Sequence, residues 1–135
     1  MAIMKWDESM SVGVAEFDRQ HGVLIDLINQ LSDAMSIGKG KDVLGGILVK
    51  LSRYTRHHFS AEEELFERYA YPEAQSHIQA HINLTRKVYE LKNAFDSGKK
   101  ILSLETMNFL KDWLNNHIMI VDKQYGPYFN SKGIK

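Results

Sequence analysis

The chain has 135 residues, with 17 Lys plus Arg balancing 17 Asp plus Glu, 44% hydrophobic residues, six histidines and no cysteine. That length suits one domain with a single core. The lack of cysteine excludes disulfides, thiolate metal sites, iron–sulfur clusters and Cys nucleophiles. Zero formal net charge argues against nucleic acid as a partner, because meeting phosphates calls for a basic surface.

The N-terminus, Met1 to Glu8, carries charges where a signal peptide needs an apolar run. No window approaches the roughly 18 apolar residues of a membrane span. The expectation is a cytoplasmic protein without a membrane partner. It reads as one domain over residues 1–135, and residues 1–17 form an N-terminal arm on the main body. The arm carries Trp6, Met10, Val12, Val14 and Phe17 without a clear period. It is expected to be extended and packed on the outside, with the first helix starting near residues 14–19.

Four segments with helical apolar spacing follow, separated by Gly38-Lys39-Gly40, Tyr71-Pro72 and Ser97-Gly98, with a further break at Gly126-Pro127. The first stripe is Leu24, Ile28, Leu31 and Met35. The second is Leu44, Ile47, Leu48, Leu51 and Tyr54, although Gly45-Gly46 weakens its start by ~1 kcal/mol per glycine relative to Ala. The third is Leu84, Val88, Leu91 and Phe95, and Pro72-Glu73 suits the first turn of that helix. The fourth is Met107, Leu110, Leu114 and Val121, with Trp113 and Ile118 beside it and Ser103 as N-cap. No hairpin signal or strand alternation is present. Helices of roughly 18–24 residues, about 27–36 Å long, joined by short connections give an all-α, up-down-up-down antiparallel four-helix bundle.

Extending each stripe places polar residues where apolar ones are expected. His21 precedes Leu24 by three, His58 follows Tyr54 by four, Glu62 follows His58 by four, and His77 and His81 lead into Leu84. His117 falls between Leu114 and Val121, with Asp122 five residues on. His21, His77 and His81 lie near helix N-termini, while His58, Glu62, His117 and Asp122 lie near C-termini. An antiparallel bundle brings all four ends together.

A lone buried histidine is ordinarily a hydrogen-bonded core residue. Five converging with two carboxylates differ, because an unpaired buried carboxylate is costly or gives up its charge. Metal coordination explains neutral imidazoles and anionic oxygens that all face inward. One ion cannot use seven ligands, since six saturate an octahedron, but two can. If Glu62 and Asp122 both bridge and an oxide or hydroxide joins them, the histidines divide three and two, and one metal keeps an open position. One spacing is awkward: five residues from His117 to Asp122 turn about 140° past a full circle, so Asp122 must reach round or the helix must distort there.

The set His21, His58-x-x-x-Glu62, His77-x-x-x-His81 and His117-x-x-x-x-Asp122 resembles the ligand pattern of the hemerythrins, and among them the single-domain bacteriohemerythrins. Trp6-Asp7, Val12-Gly13, Asp18-Arg19-Gln20-His21, His58-Phe59-Ser60-Ala61-Glu62-Glu63, Tyr71-Pro72 and Trp113-Leu114-Asn115-Asn116-His117-Ile118 support the match along nearly the whole chain. The resemblance implies a non-haem centre of two iron ions with a bridging oxide or hydroxide that binds dioxygen reversibly. His77, His81 and His117 would hold the six-coordinate iron, His21 and His58 the five-coordinate iron that takes dioxygen, and Glu62 and Asp122 would bridge.

An apolar pocket should surround the open position, and Leu24, Phe59, Trp113, Leu114 and Ile118, each within a turn of a ligand, are candidates for its lining. His57, Glu63 and Glu64 are expected on the solvated surface, and Asp18 in a local structural role rather than against a ligand histidine. Three function classes stay in view: a dioxygen carrier, a di-iron oxidase or peroxide-handling enzyme, and an oxygen or redox sensor. Bundle di-iron enzymes typically use four carboxylates and two histidines. Five neutral imidazoles and two carboxylates disfavour high-valent iron and favour the carrier, not an enzyme. A sensor reading calls for a linker or output domain, and neither is seen in these residues. The expected state is a monomer, with an oxygen-consuming protein as recipient.

Overall fold

Apolar stripes long enough to bury one face of a helix cannot be satisfied singly, so the four amphipathic segments pack on one another. The structure, a computed structural model, describes residues 3–98 and 103–135. It contains α1 (Ala15–Ser36), α2 (Lys41–Arg68), α3 (Ala74–Asp96) and α4 (Leu104–Asn116), then a π-helical turn (His117–Val121), a 3-10 turn (Asp122–Tyr125) and a short α5 (Gly126–Ser131). Among the described residues there is no strand. Helix α1 lies against α2 and α4, and α2 against α3, so the expected all-α bundle is formed. No described helix is long and apolar enough to cross a membrane.

Local signals set the ends. Ser103 caps α4 by accepting from the Thr106 amide at 3.2 Å, which satisfies one of the donors that a helix start leaves free. Helix α1 ends at Gly38, whose φ of 74° is the left-handed conformation glycine adopts without a Cβ clash. Helix α2 runs through Gly45-Gly46 from Lys41, because Leu48 and Leu51, both buried, anchor the turns that follow. Pro72 lies in the turn before α3 rather than inside its first turn.

The core takes up the predicted stripes: Leu24, Ile28, Leu31, Leu48, Leu51, Val88, Leu91, Phe95, Met107, Leu110 and Leu114 are all buried. Each fully buried Leu or Ile contributes roughly 1.5–3 kcal/mol relative to exposure. The fourth stripe departs from expectation at its end, where Ile118 is fully buried and Val121 only half-buried. The π turn from His117 to Val121 rotates Val121 off the stripe, while Ile118 is buried as a pocket residue should be.

The arm also differs from an outer wrapping. It contains a 3-10 turn, Glu8–Met10, and places Met4, Met10, Val12 and Val14 in the core cluster. Asn29 on α1 holds it by accepting from the Ile3 and Met4 amides and donating to the Met4 carbonyl. Asp18 accepts from the Ser11 hydroxyl at 2.6 Å and from the Val12 amide at 2.9 Å, the local structural role expected of it. At the other end of the chain, Asn130 on α5 donates to the Gly13 carbonyl. Gly126 comes so near the arm that a Cβ there would stand 2.3 Å from the Val12 carbonyl oxygen. Gly126→Ala must push two backbones apart and should lower stability by about 1–3 kcal/mol. Urea denaturation checks this, and an unchanged midpoint would contradict the clamp.

Candidate metal centre

Alternation of helix direction delivers the polar residues to one end of the bundle. His21 comes from the second turn of α1, His58 and Glu62 from the last third of α2, and His77 and His81 from the start of α3. His117 and Asp122 come from the distorted end of α4. The distortion answers the awkward spacing. In a π turn the hydrogen bond spans five residues, and the Asp122 amide donates to the His117 carbonyl. The two side chains therefore face the same volume.

All seven predicted ligands converge, each no more than 5% exposed, and Glu62, Asp122, His21 and His58 are at 0%. They form two groups that share both carboxylates: Glu62, His77, His81, His117 and Asp122 in one, and His21, His58, Glu62 and Asp122 in the other. The carboxylate oxygens divide between the groups. Asp122 Oδ1 lies 2.9 Å from His77 Nε2 and 3.0 Å from His117 Nε2, while Oδ2 lies 2.9 Å from His21 Nε2. Glu62 Oε1 lies 3.0 Å from His81 Nε2 and 3.8 Å from His77 Nε2, and Oε2 lies 3.5 Å from His58 Nε2. Each acid thus turns one oxygen toward the group of His77, His81 and His117 and the other toward the group of His21 and His58.

None of the five Nε2 atoms has the geometry of a hydrogen bond, nor does Glu62 Oε1 or either Asp122 oxygen. Buried polar atoms are otherwise satisfied with few exceptions, so this concentration of inward-facing lone pairs suits metal cations. Edges near 3 Å between ligand atoms are those of an octahedron with bonds of ~2.1 Å. Imidazole with carboxylate is a donor set that suits iron among other divalent metals. The residues present fit a pair of metal ions.

The histidines are oriented from outside. His58 Nδ1 donates to the Gln20 carbonyl oxygen at 2.6 Å, and Gln20 in turn donates to Glu16 at 3.1 Å. His81 Nδ1 donates to Glu63 Oε2 at 2.7 Å. With the proton held on Nδ1, each Nε2 lone pair faces the cluster. Glu63 is therefore only partly on the solvated face expected from sequence, since its carboxylate is engaged by His81. Glu64 is exposed and pairs with Arg68, and His57 is exposed beside Tyr54, as expected of both. Sequence reasoning missed Gln20, Glu63 and Tyr125. The Tyr125 hydroxyl, fully buried, donates to Glu62 Oε2; Gln20 and Tyr125 are polar residues adjoining or one turn beyond a ligand, which was the available signal.

Aromatic rings surround the cluster. Phe59 stacks on His81 at 3.8 Å, Phe66 lies 4.8 Å from His77, and Phe17 meets His58 edge-on at 6.0 Å. Of the proposed pocket residues, Leu24, Leu114 and Ile118 are at 0–1% exposure, Phe59 is buried against His81, and Trp113 is half-buried in a stack with His117 at 6.3 Å. A cleft of about 560 Å³ between α3 and α4 is bounded by Leu84, Phe109, Trp113, Ile120 and His117.

Without cations the site redistributes protons. Burial, reinforced by the Asp122 charge, pushes the Glu62 carboxyl up to about 8. Burial opposes the Asp122 charge too, but His117, with close contacts from His21 and His77, holds that carboxyl well below the usual range. Burial favours neutral His117, yet Asp122 prevails and raises it. Burial holds His58 well below 6.5 and His81 at about 4.

An antiparallel bundle with a dry, proton-sharing cluster of this composition is a helical cation-binding protein. The hemerythrin HHE cation binding domain matches residues 12–129, and the chain belongs to the hemerythrin family. It is 33% identical over 128 residues to the bacteriohemerythrin of Methylococcus capsulatus, covering 94% of this chain and 97% of that protein. It is 32% identical over 125 residues to the bacteriohemerythrin of Pseudomonas aeruginosa, covering 93% of this chain and 80% of that one. A crystal structure of wild-type hemerythrin matches with a TM-score of 0.89 at 32% identity, covering 93% of this chain and 97% of that one.

The proton balance predicts an unusual pH response for the metal-free protein. Glu62 and His117 have folded values raised above their unfolded ones, so the stability they contribute is lost as pH rises. His58 and His81 are depressed, and their contribution is lost only as pH falls below 6.5. Between pH 6.5 and about 8 the first pair acts alone, and the melting temperature of the metal-free protein should fall. Metal uptake releases the same protons, so the loaded protein should show no such fall. Thermal melts with chelator and with divalent metal test this, and a rise in the metal-free melting temperature over that window would contradict it.

Proposed function

We propose that this hemerythrin binds dioxygen reversibly at a non-haem di-iron centre, as a carrier, storage or delivery protein and not as an enzyme. The observation that carries the reading is that both carboxylates are shared, one oxygen of each toward a group of three histidines and the other toward a group of two. His77, His81 and His117 would hold one iron, His21 and His58 the other, and Glu62 and Asp122 would span both, with an oxide or hydroxide between them. The count leaves the two-histidine position one ligand short, which is where dioxygen would enter. Bound iron supplies the reversible electron transfer that dioxygen binding needs.

The chain's own side chains set the conditions. Only two carboxylates offset the cations, which disfavours the highly oxidised iron that oxygenases use. Leu24, Phe59, Trp113, Leu114 and Ile118 would line the pocket and keep water from the open position. Tyr125, whose proton is engaged by Glu62, fixes that carboxylate rather than serving as a free acid. In this reading the protein works in the cytoplasm as a monomer and hands dioxygen to a protein that consumes it.

The test is an absorption spectrum of the reduced protein, taken without oxygen, after air, and after oxygen removal. A charge-transfer band that appears and then reverses is expected, with two irons per chain by metal analysis. Irreversible oxidation with substrate turnover would establish an enzyme, and one metal per chain, or zinc, would overturn the di-iron assignment. Leu114→Ala should open the pocket to water and raise the autoxidation rate several-fold, while costing about 2–5 kcal/mol of stability through the cavity it leaves. A rate equal to that of the parent protein would remove Leu114 from the pocket.

A further inference from the structure

The supports behind the two histidine groups are chemically unequal. His81, in the three-histidine group, donates its Nδ1 proton to a carboxylate, Glu63, at 2.7 Å. His58, in the two-histidine group, donates to a neutral carboxamide, Gln20, at 2.6 Å. Gln20 is 2% exposed, and its orientation is fixed because its amide nitrogen donates to Glu16. Glu63 sits at the edge of the cluster with its side chain 35% exposed. A carboxylate draws the Nδ1 proton and enriches Nε2 as a donor to metal, and an amide does so far less. Both groups draw on the same two bridging acids, so those acids cannot rank them.

We propose that Glu63 and Gln20 are positioning residues that rank the two metal positions. Glu63 adds to the advantage that a third histidine gives its position, which is the tighter one and filled first. Gln20 keeps the two-histidine position, the one with the open site, weaker and filled second. The inference rests on the reading of the seven side chains as a two-metal ligand set.

Cobalt(II) titration of the metal-free protein tests it, followed by calorimetry and by NMR of the paramagnetically shifted imidazole N–H protons. The first equivalent should produce three such signals, from His77, His81 and His117, and the second should add two, from His21 and His58. Glu63→Gln keeps an acceptor for His81 Nδ1 but removes the charge. It should weaken the first step about tenfold, leave the second unchanged, and retain the His81 N–H signal that reports an intact hydrogen bond. Gln20→Glu should instead tighten the second step. Two signals at the first equivalent, simultaneous filling, or a Glu63→Gln protein with an unmoved first step would overturn the ranking. Uptake of one cobalt or none would refute the two-metal reading itself, a different failure from two ions bound without order.

Discussion

Two carboxylates at 0% exposure, Glu62 and Asp122, cannot both keep their charge in an apolar core unless cations face them. The unscreened cost of burying such a group is several kcal/mol per ion, a large part of the whole stability of a domain this size. In the metal-free chain the conflict is met by proton sharing, with Glu62 neutral and Asp122 held against His117. Imidazole ligands, unlike further carboxylates, supply lone pairs without adding negative charge. Everything else at this end of the bundle serves to place those seven groups or to keep water from them.

The end of α4 shows how far the fold is bent to that purpose. A regular helix would send Asp122 away from His117, and a single π turn returns it at the expense of regular hydrogen bonding. The chain then tightens through Asp122–Tyr125 and starts α5 at Gly126, where only a glycine fits under the Val12 carbonyl. That route puts Tyr125 against Glu62 and Phe129 against Phe17 and Phe66. The same closure draws the arm into the core, so residues far apart in sequence become one lid over the centre.

Helix count, the buried stripes and the seven converging side chains were legible in the sequence because they follow from period and residue type. Histidine at a position where leucine is expected is a strong signal when four stripes repeat it. The π turn was half legible: the spacing from His117 to Asp122 required a distortion but did not say which, and so Val121 was assigned to the buried stripe although it is only half-buried. Glu63 was not legible, because Glu62, Glu63 and Glu64 are identical in type. Only the approach of α3 gives Glu63 a histidine to hold, while Glu64 finds Arg68 on its own helix. The arm escaped because residues without a period offer no face to read, although Met4, Met10, Val12 and Val14 are as buried as the bundle's own leucines.

The surroundings bear on the choice between carrier and enzyme as much as the ligand count does. Cleaving an oxygen–oxygen bond needs a proton source at the site and negative charge to stabilise oxidised metal. Here the nearby hydroxyl of Tyr125 is committed to Glu62, and burial together with Glu62 raises its pKa well above the usual tyrosine value, making it a weaker acid. Glu63 is engaged by the far nitrogen of His81 and does not face the interior of the cluster. Phe17, Phe59 and Phe66, which also border the histidines, offer neither proton nor charge. These surroundings support the proposed reading of the centre as one that takes up dioxygen and releases it.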